Sequence, residues 1–278
     1  MPLPLPGYGT GRLIRALCTA PPTVPPPAPS PGPSAPAAAP GGGAGTAGAT
    51  FDEPLPAGDP DRPRPGPRPL GGLTVEVLDA GVGPAAAAAA TATALTAAAL
   101  RGAPYELVVS AGIGGGFAPA APPESVVVAD VITAADLGAE TPEGFAPVTE
   151  LGFGTVEHRP PEALVRAAAE ATGAVRGTVL TVSTVTGSAA RATGLRTRHP
   201  AAVAEAMEGF GVAEAAAAHG VPVCEVRTIS NPVGPRDRAA WRIREALDAL
   251  CDAFRELVPV LAAASAPPPG GPAGTSPN

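Results

Sequence analysis

The chain contains no lysine; all 18 of its basic residues are arginine. That absence excludes chemistry that needs a primary amine on the protein: Schiff-base and pyridoxal-phosphate catalysis, P-loop phosphate binding and the kinase β3 lysine. Aromatic residues are 3% of the sequence, too few for base-stacking platforms. The formal charge of −7 lacks the basic stripe that releases counterions from a phosphate backbone, so no nucleic-acid partner is expected. Cysteine is scarce, and Cys18, Cys224 and Cys251 are widely spaced and odd in number, which fits a reducing compartment without a disulfide framework. Neither they nor His158, His199 and His219 show metal-ligand spacing, and no metal or cofactor is predicted. Long apolar runs are missing too. The weakly apolar stretch Pro84 to Leu100 is Ala and Thr with two Leu, short of the roughly 20 apolar residues a membrane span requires. Arg12 and Arg15 precede no apolar segment of a secretory signal. Together these absences predict a soluble, cytoplasmic protein with no membrane partner.

What the chain has in excess is proline and glycine, 39 and 35 of 278 residues. The prolines are uneven: residues 1–70 hold 20 of them and residues 266–278 hold five. Thr19–Leu70 is dominated by Pro, Ala, Gly and Ser with no period of 2 or 3.6, and a segment of that kind cannot offset its ordering entropy by burial. The predicted organisation is a short N-terminal strand region at 1–18, a disordered insertion at 19–70, one folded domain at 71–257 and a disordered tail at 258–278. The folded part is of ordinary single-domain size.

A short opening strand is predicted at Gly11–Cys18, and within the domain strands are predicted at Leu73–Leu78, Glu106–Ser110, Ser125–Ile132, Thr178–Thr184 and Val221–Ile229, from apolar runs rich in β-branched residues. Helices are predicted at Pro84–Arg101, Pro161–Thr172, Ser188–Arg198, Glu208–His219 and Arg236–Leu257. Strands alternating with helices mean an α/β fold whose sheet is covered on both faces.

Three segments carry candidate chemistry. Ser110-Ala111-Gly112-Ile113-Gly114-Gly115-Gly116 follows a strand as a dinucleotide-binding turn would, and Asp130 ends the next strand. Only eight residues separate Gly116 from Ser125, and Pro119, Pro122 and Pro123 are among them. A parallel crossover needs about ten or more residues, so no βαβ unit forms there. The segment is either a plain turn or a loop whose backbone N–H groups approach a polar ligand. Met207-Glu208-Gly209 opens a helix. Glu208 either complements that helix's dipole or accepts hydrogen bonds from the vicinal hydroxyls of a ribose. Arg227-Thr228-Ile229-Ser230-Asn231 ends a strand, where ligands of α/β sheets collect, although a turn into Pro232 accounts for Asn231 equally. The charges of Gly234-Pro235-Arg236-Asp237-Arg238 read as solvated or capping.

Taken in order, these segments resemble the purine nucleoside phosphorylase/nucleosidase superfamily. Met207-Glu208-Gly209 and Arg227 to Asn231 are its best markers. Thr184-Val185-Thr186-Gly187, Glu205 to Ala213, Asp136-Leu137-Gly138-Ala139-Glu140 and Ser230 to Asp237 resemble its futalosine hydrolase branch, close to the methylthioadenosine/S-adenosylhomocysteine nucleosidases. The likeness spans Gly71 to Leu257. It implies a three-layer α/β/α fold with a central mixed, twisted sheet. It also implies hydrolysis of futalosine by water to hypoxanthine and dehypoxanthine futalosine in menaquinone biosynthesis, by a homo-oligomer.

The same resemblance assigns roles to residues. Glu208 would grip the ribose and Met207 would pack on it; Thr184, Val185 and Thr186 would border the base; Ser110, Ala111, Gly112 and Ser230 would line the substrate. Asn231 would act with Glu208 in catalysis. Asn231 stands where adenine-releasing relatives have Asp, and its amide N–H₂ suits the O6 and N7 acceptors of a 6-oxopurine. Relatives carry a water-activating Glu after the first strand. Here Val24 falls near that place, and Asp52 and Glu53 are the nearest carboxylates. The alternatives are a catalytically impaired purine-nucleoside-binding protein of this fold, or a nucleosidase for another purine nucleoside.

Overall fold

The computed structural model describes residues 13–19, 68–70 and 73–264. The expected insertion, apart from its two ends, lies outside the described residues, as do Val24, Asp52, Glu53 and the chain beyond 264.

Eleven strands and five α-helices are found among the described residues. In chain order they are β1 Leu13–Thr19, β2 Arg68–Leu70, β3 Leu73–Leu78, α1 Pro84–Leu100, β4 Leu107–Gly116, β5 Val126–Ala134, β6 Gly138–Thr141, β7 Gly144–Pro147, β8 Glu157–His158, α2 Glu162–Thr172, β9 Val175–Thr181, α3 Ala189–Arg198, β10 Ala202–Ala206, α4 Gly209–Ala218, β11 Val223–Pro232 and α5 Ile243–Ala264. The main sheet runs β10-β9-β5-β11-β4-β1-β3-β2 with β8 on β5, while β6 and β7 form a separate hairpin. β3, β1, β4 and β11 are parallel, as are β5, β9 and β10. These two parallel sets meet antiparallel at β5–β11 and again at β10–β4. The second junction closes a ring through β4, β11, β5, β9 and β10.

Strand alternation explains the layers. Val108 joins a core with Ala87 and Leu95 of α1 and Phe210, Ala213 and Ala216 of α4. Its neighbours Leu107 and Val109 face the other way, toward Leu164 and Val165 of α2 and Leu250, Leu257 and Leu261 of α5. With both faces covered, these strands carry nearly continuous apolar runs, and the result is the expected three-layer α/β/α arrangement. α1 and α4 approach closely because their contact is made of small residues: a Cβ at Gly211 would overlap the Pro84 carbonyl.

Several sequence expectations change: Arg68–Leu70, inside the expected insertion, is a strand, and the strand predicted at Thr178–Thr184 is Val175–Thr181, which leaves Thr184 beyond its end. The strand predicted at Glu106–Ser110 continues to Gly116, so Gly112–Gly116 is strand and not a loop. The glycines are needed for close approach: a Cβ at Gly114 would lie 2.8 Å from the Glu205 carbonyl, and one at Gly116 would overlap the Ala121 carbonyl. Ala202–Ala206, read as connection, is a strand in which every residue is buried. The last helix begins at Ile243, and Arg238–Ala240 form a separate 3₁₀ turn in which the Ala239 N–H donates to the Asp237 carboxylate. Pro259 lies inside the helix, and the apolar stripe Ala246, Leu250, Ala253, Leu257, Leu261 carries α5 to Ala264, seven residues into the expected tail.

Candidate active site

The sheet register brings the ends of four strands together. Gly112 of β4 lies beside Thr19 of β1 and Arg227 of β11, while Gly115 lies beside Asn231 of β11 and Glu205 of β10. β10 runs antiparallel to β4, so the Met207-Glu208 that follows it descends toward the level of Gly112.

On β11, alternation sends Cys224 and Val226 to the α2/α5 face and leaves Glu225, Arg227 and Ile229 facing α1 and α4. Arg227 is wholly buried and every edge of its guanidinium is engaged. Nε donates to Glu225 Oε1 at 2.8 Å, Nη1 to Glu208 Oε2 at 3.1 Å and Nη2 to Ser110 Oγ at 3.1 Å. Glu208 is buried too, and accepts from the backbone N–H of Gly83, at the start of α1, at 3.2 Å and from that of Met207 at 3.3 Å. It makes no side-chain cap on its own helix α4, so its geometry is set by distant partners and not by the local helix end. Met207 is half-buried beside it.

Burial pushes the Glu225 carboxyl above the ordinary range, and the adjoining Arg227 charge pulls it back. The thiol of Cys224 is pushed up to about 12 by burial, with the Glu225 charge adding to the effect; it is an inert core group.

At the upper end, Ser230 Oγ lies 2.8 Å from Asn231 Oδ1 and 3.2 Å from the Gly114 carbonyl, and Asn231 Nδ2 donates to the Pro232 carbonyl at 3.1 Å. A hydroxyl has one proton; given to Oδ1, it turns the amide so that its second N–H is left for a ligand. Across from it, Glu205 accepts from Thr186 twice, from N at 2.8 Å and from Oγ1 at 2.5 Å. Burial raises the Glu205 pKa and these two bonds lower it. The contact pins the segment after β9, leaving Val185 half-buried and Thr184 exposed at its rim. Asp136 holds the same segment through Ser183 N at 2.8 Å.

Of the residues singled out from the sequence, Ser110 and Glu208 meet through Arg227. Ser230 and Asn231 meet each other. Thr186 is tied to Glu205, and Ala111 and Gly112 are buried strand residues beside Val226 and Arg227. Three further residues had no expected role: Arg227 and Glu205, which lie within the motifs, and Glu225, which lies only within the predicted strand Val221–Ile229. The signal for Arg227 and Glu225 was their i, i+2 spacing on a strand, which fixes a shared face.

Residues 69–259 match the family model described as the phosphorylase superfamily. The futalosine hydrolase of Streptomyces coelicolor is 77% identical over 186 residues, which is 67% of this chain and 79% of that protein. The chain belongs to the futalosine hydrolase family of the phosphorylase superfamily. The futalosine hydrolase of Acidothermus cellulolyticus is 49% identical over 192 residues, 66% of this chain and 75% of that one. Among solved structures, a 5′-methylthioadenosine/S-adenosylhomocysteine nucleosidase from Colwellia psychrerythraea, in complex with adenine, shares the fold with a TM-score of 0.58 at 23% identity, covering 70% of this chain and 80% of that one.

Proposed function

We propose that this chain hydrolyses the N-glycosidic bond of futalosine, releasing hypoxanthine and dehypoxanthine futalosine, as a step in menaquinone biosynthesis. The observation that carries the reading is the buried Glu208 carboxylate, fixed by Arg227 and Gly83 at the end of β10. Glycosidic cleavage passes through an oxocarbenium-like transition state. A carboxylate at this place accepts from the ribose hydroxyls and sets negative charge against the cation developing at C1′. Met207 packs on the sugar as a soft apolar surface, and Val185 and Thr184 border the base above Thr186. Asn231 donates to the purine as it leaves. An amide is no acid catalyst, so its help is a hydrogen bond and not a proton. Near the place after β1 where the family resemblance puts a water-activating Glu this chain has Val24, beyond Thr19 and outside the described residues.

Water is favoured over phosphate because Arg227, paired with Gly112 across β4 and β11, is already shared by two carboxylates. With one guanidinium between two carboxylates, the cluster has no unpaired positive charge to offer an anionic nucleophile. Hypoxanthine release from futalosine is therefore expected to proceed at the same rate with and without phosphate. A phosphate-dependent rate, with a sugar phosphate as product, would reassign the chain as a phosphorylase. In the same assay, binding of hypoxanthine without any turnover would identify a catalytically silent binding protein.

Base selection rests on Asn231. Asn231→Asp replaces the N–H₂ donor by an acceptor facing O6 and N7, and sites built for one hydrogen-bond pattern reject another strongly. We expect kcat/KM for futalosine to fall by about 10²-fold, with the loss smaller for a 6-aminopurine counterpart. Undiminished cleavage of the 6-oxo substrate would remove Asn231 from this role.

The reading includes a cytoplasmic homo-oligomer, which sedimentation of the purified chain and fractionation of cells test. No described helix is long and apolar enough to cross a membrane.

A further inference from the structure

Glu225 is the one charged group of this cluster to which the hydrolytic reading gives no task. It is wholly buried, it accepts from Nε of Arg227 while Glu208 accepts from Nη1, and among the described residues its Oε2 has no hydrogen-bond partner. A buried carboxylate with an unsatisfied oxygen is costly. The fold nonetheless makes room for it: a Cβ at Gly209 would overlap the Glu225 carboxylate, so the glycine of Met207-Glu208-Gly209 is the space that the carboxylate occupies. The group also faces the amino-terminal end of α4, where the helix dipole favours an anion.

The chemistry at Glu208 explains why a second carboxylate is kept. A fully buried guanidinium beside a reaction that builds positive charge on the ribose opposes that reaction. Paired with Glu208 alone, Arg227 would form a neutral couple and cancel the negative charge that Glu208 must present. We propose that Glu225 is a positioning residue that neutralises Arg227 from its Nε edge, so that the net negative charge of the Glu225–Arg227–Glu208 cluster is delivered at Glu208 to the developing sugar cation. This rests on the glycosidic-cleavage reading. The Arg227 side chain supports it geometrically: Nε is spent on Glu225 and Nη1 on Glu208, so the two carboxylates sit on different edges of one cation.

The test compares wild type with Glu225→Gln, which keeps the shape and the Oε1 acceptor and removes only charge. Two nucleoside analogues serve as probes: an uncleavable C-nucleoside with a neutral ribose ring, and its iminoribitol counterpart, whose ring nitrogen is protonated. The variant is expected to lose about tenfold or more in kcat and in affinity for the cationic probe. KM and affinity for the neutral probe should change less than about threefold, because the hydrogen bonds to the ribose remain. Equal losses for the two probes would show a purely structural role, and no loss for either would show no role; both overturn the proposal. Glu225→Gln/Arg227→Met removes both other charges of the cluster and leaves Glu208 the lone anion. Its preference for the cationic probe should be close to the wild type's, and a preference far below the wild type's refutes the proposal even if Glu225→Gln folds poorly. A wild-type protein indifferent to the charge of the probe would sink the cleavage reading itself. Preference kept in wild type and unchanged in Glu225→Gln sinks only the role of Glu225.

Discussion

Glu208→Gln is expected to lower kcat for futalosine hydrolysis by about 10²- to 10³-fold, the range seen when a preorganised electrostatic partner of a transition state is removed. The substitution conserves shape, so the loss isolates charge. In the native chain both Glu208 oxygens accept, from Gly83 N on one side and from Arg227 Nη1 and Met207 N on the other. A glutamine keeps one acceptor for Gly83 but turns an N–H₂ toward the guanidinium, donor against donor. Arg227 then retains only Glu225, the cluster becomes neutral, and nothing negative faces the ribose. Because a glutamine oxygen still accepts from a sugar hydroxyl, KM should rise much less than kcat falls, the pattern of an interaction made mainly in the transition state. The melting temperature should drop modestly, since one charge-assisted bond worth about 1.5–3 kcal/mol is disturbed while the burial stays the same. Steady-state kinetics of hypoxanthine release, beside a thermal melt, check all three. A kcat within tenfold of wild type with a raised KM would make Glu208 a binding group only.

How much of this was legible in the sequence depends on whether the deciding force is local. Leu73–Leu78 was readable to the residue, because a β-branched apolar run bounded by glycines carries its own signal. α1 was readable from Gly83, Pro84 and the alanine run. Ala202–Ala206 was not. Alanine has little strand preference, and the segment is extended because β9 on one side and β4 on the other complete its ladders. The glycines of Gly112–Gly116 announce a turn to any local reading, yet they extend a strand, for reasons that lie in Glu205 and Ala121. The site divides the same way. Met207-Glu208-Gly209 and Ser230-Asn231 are visible as motifs, but local sequence leaves Glu208 open between a helix-end acid and a ribose-binding carboxylate, and its partner Gly83 is 125 residues away. Strand alternation put Glu225 and Arg227 on one face. Which face, and that Ser110 and Glu208 would meet them there, required the sheet order.

Arg227→Met is expected to destabilise the domain by about 3–5 kcal/mol, the cost of leaving buried ion partners uncompensated. For a domain of this size that corresponds to a melting temperature lower by roughly 6–20 °C. The side chain it replaces is wholly enclosed and donates to four groups, Glu225, Glu208, Ser110 and the Ile113 carbonyl. Methionine fills much of the volume, so the effect is electrostatic: Glu225 and Glu208 become two buried anions without a cation, and the Ser110 hydroxyl loses its partner. The pH dependence identifies that cause. Burial raises the Glu225 pKa above its ordinary value of 4.5, and Arg227 is what opposes the rise. With Arg227 gone only the raising influences remain, so the folded state holds its proton to higher pH than the unfolded chain does. A group with a raised folded-state pKa favours folding at low pH, and that contribution is lost as pH rises through the folded value. The deficit of Arg227→Met relative to wild type should therefore be smallest near about pH 5 and grow toward about pH 8. The double variant Glu225→Gln/Arg227→Met should recover part of the stability at the higher pH, because one of the two stranded anions is no longer there. Urea denaturation of the three proteins across that range measures it. A deficit that stays constant with pH, or a double variant no more stable than Arg227→Met, would mean that Arg227 supports the fold by packing and not by balancing the two carboxylates.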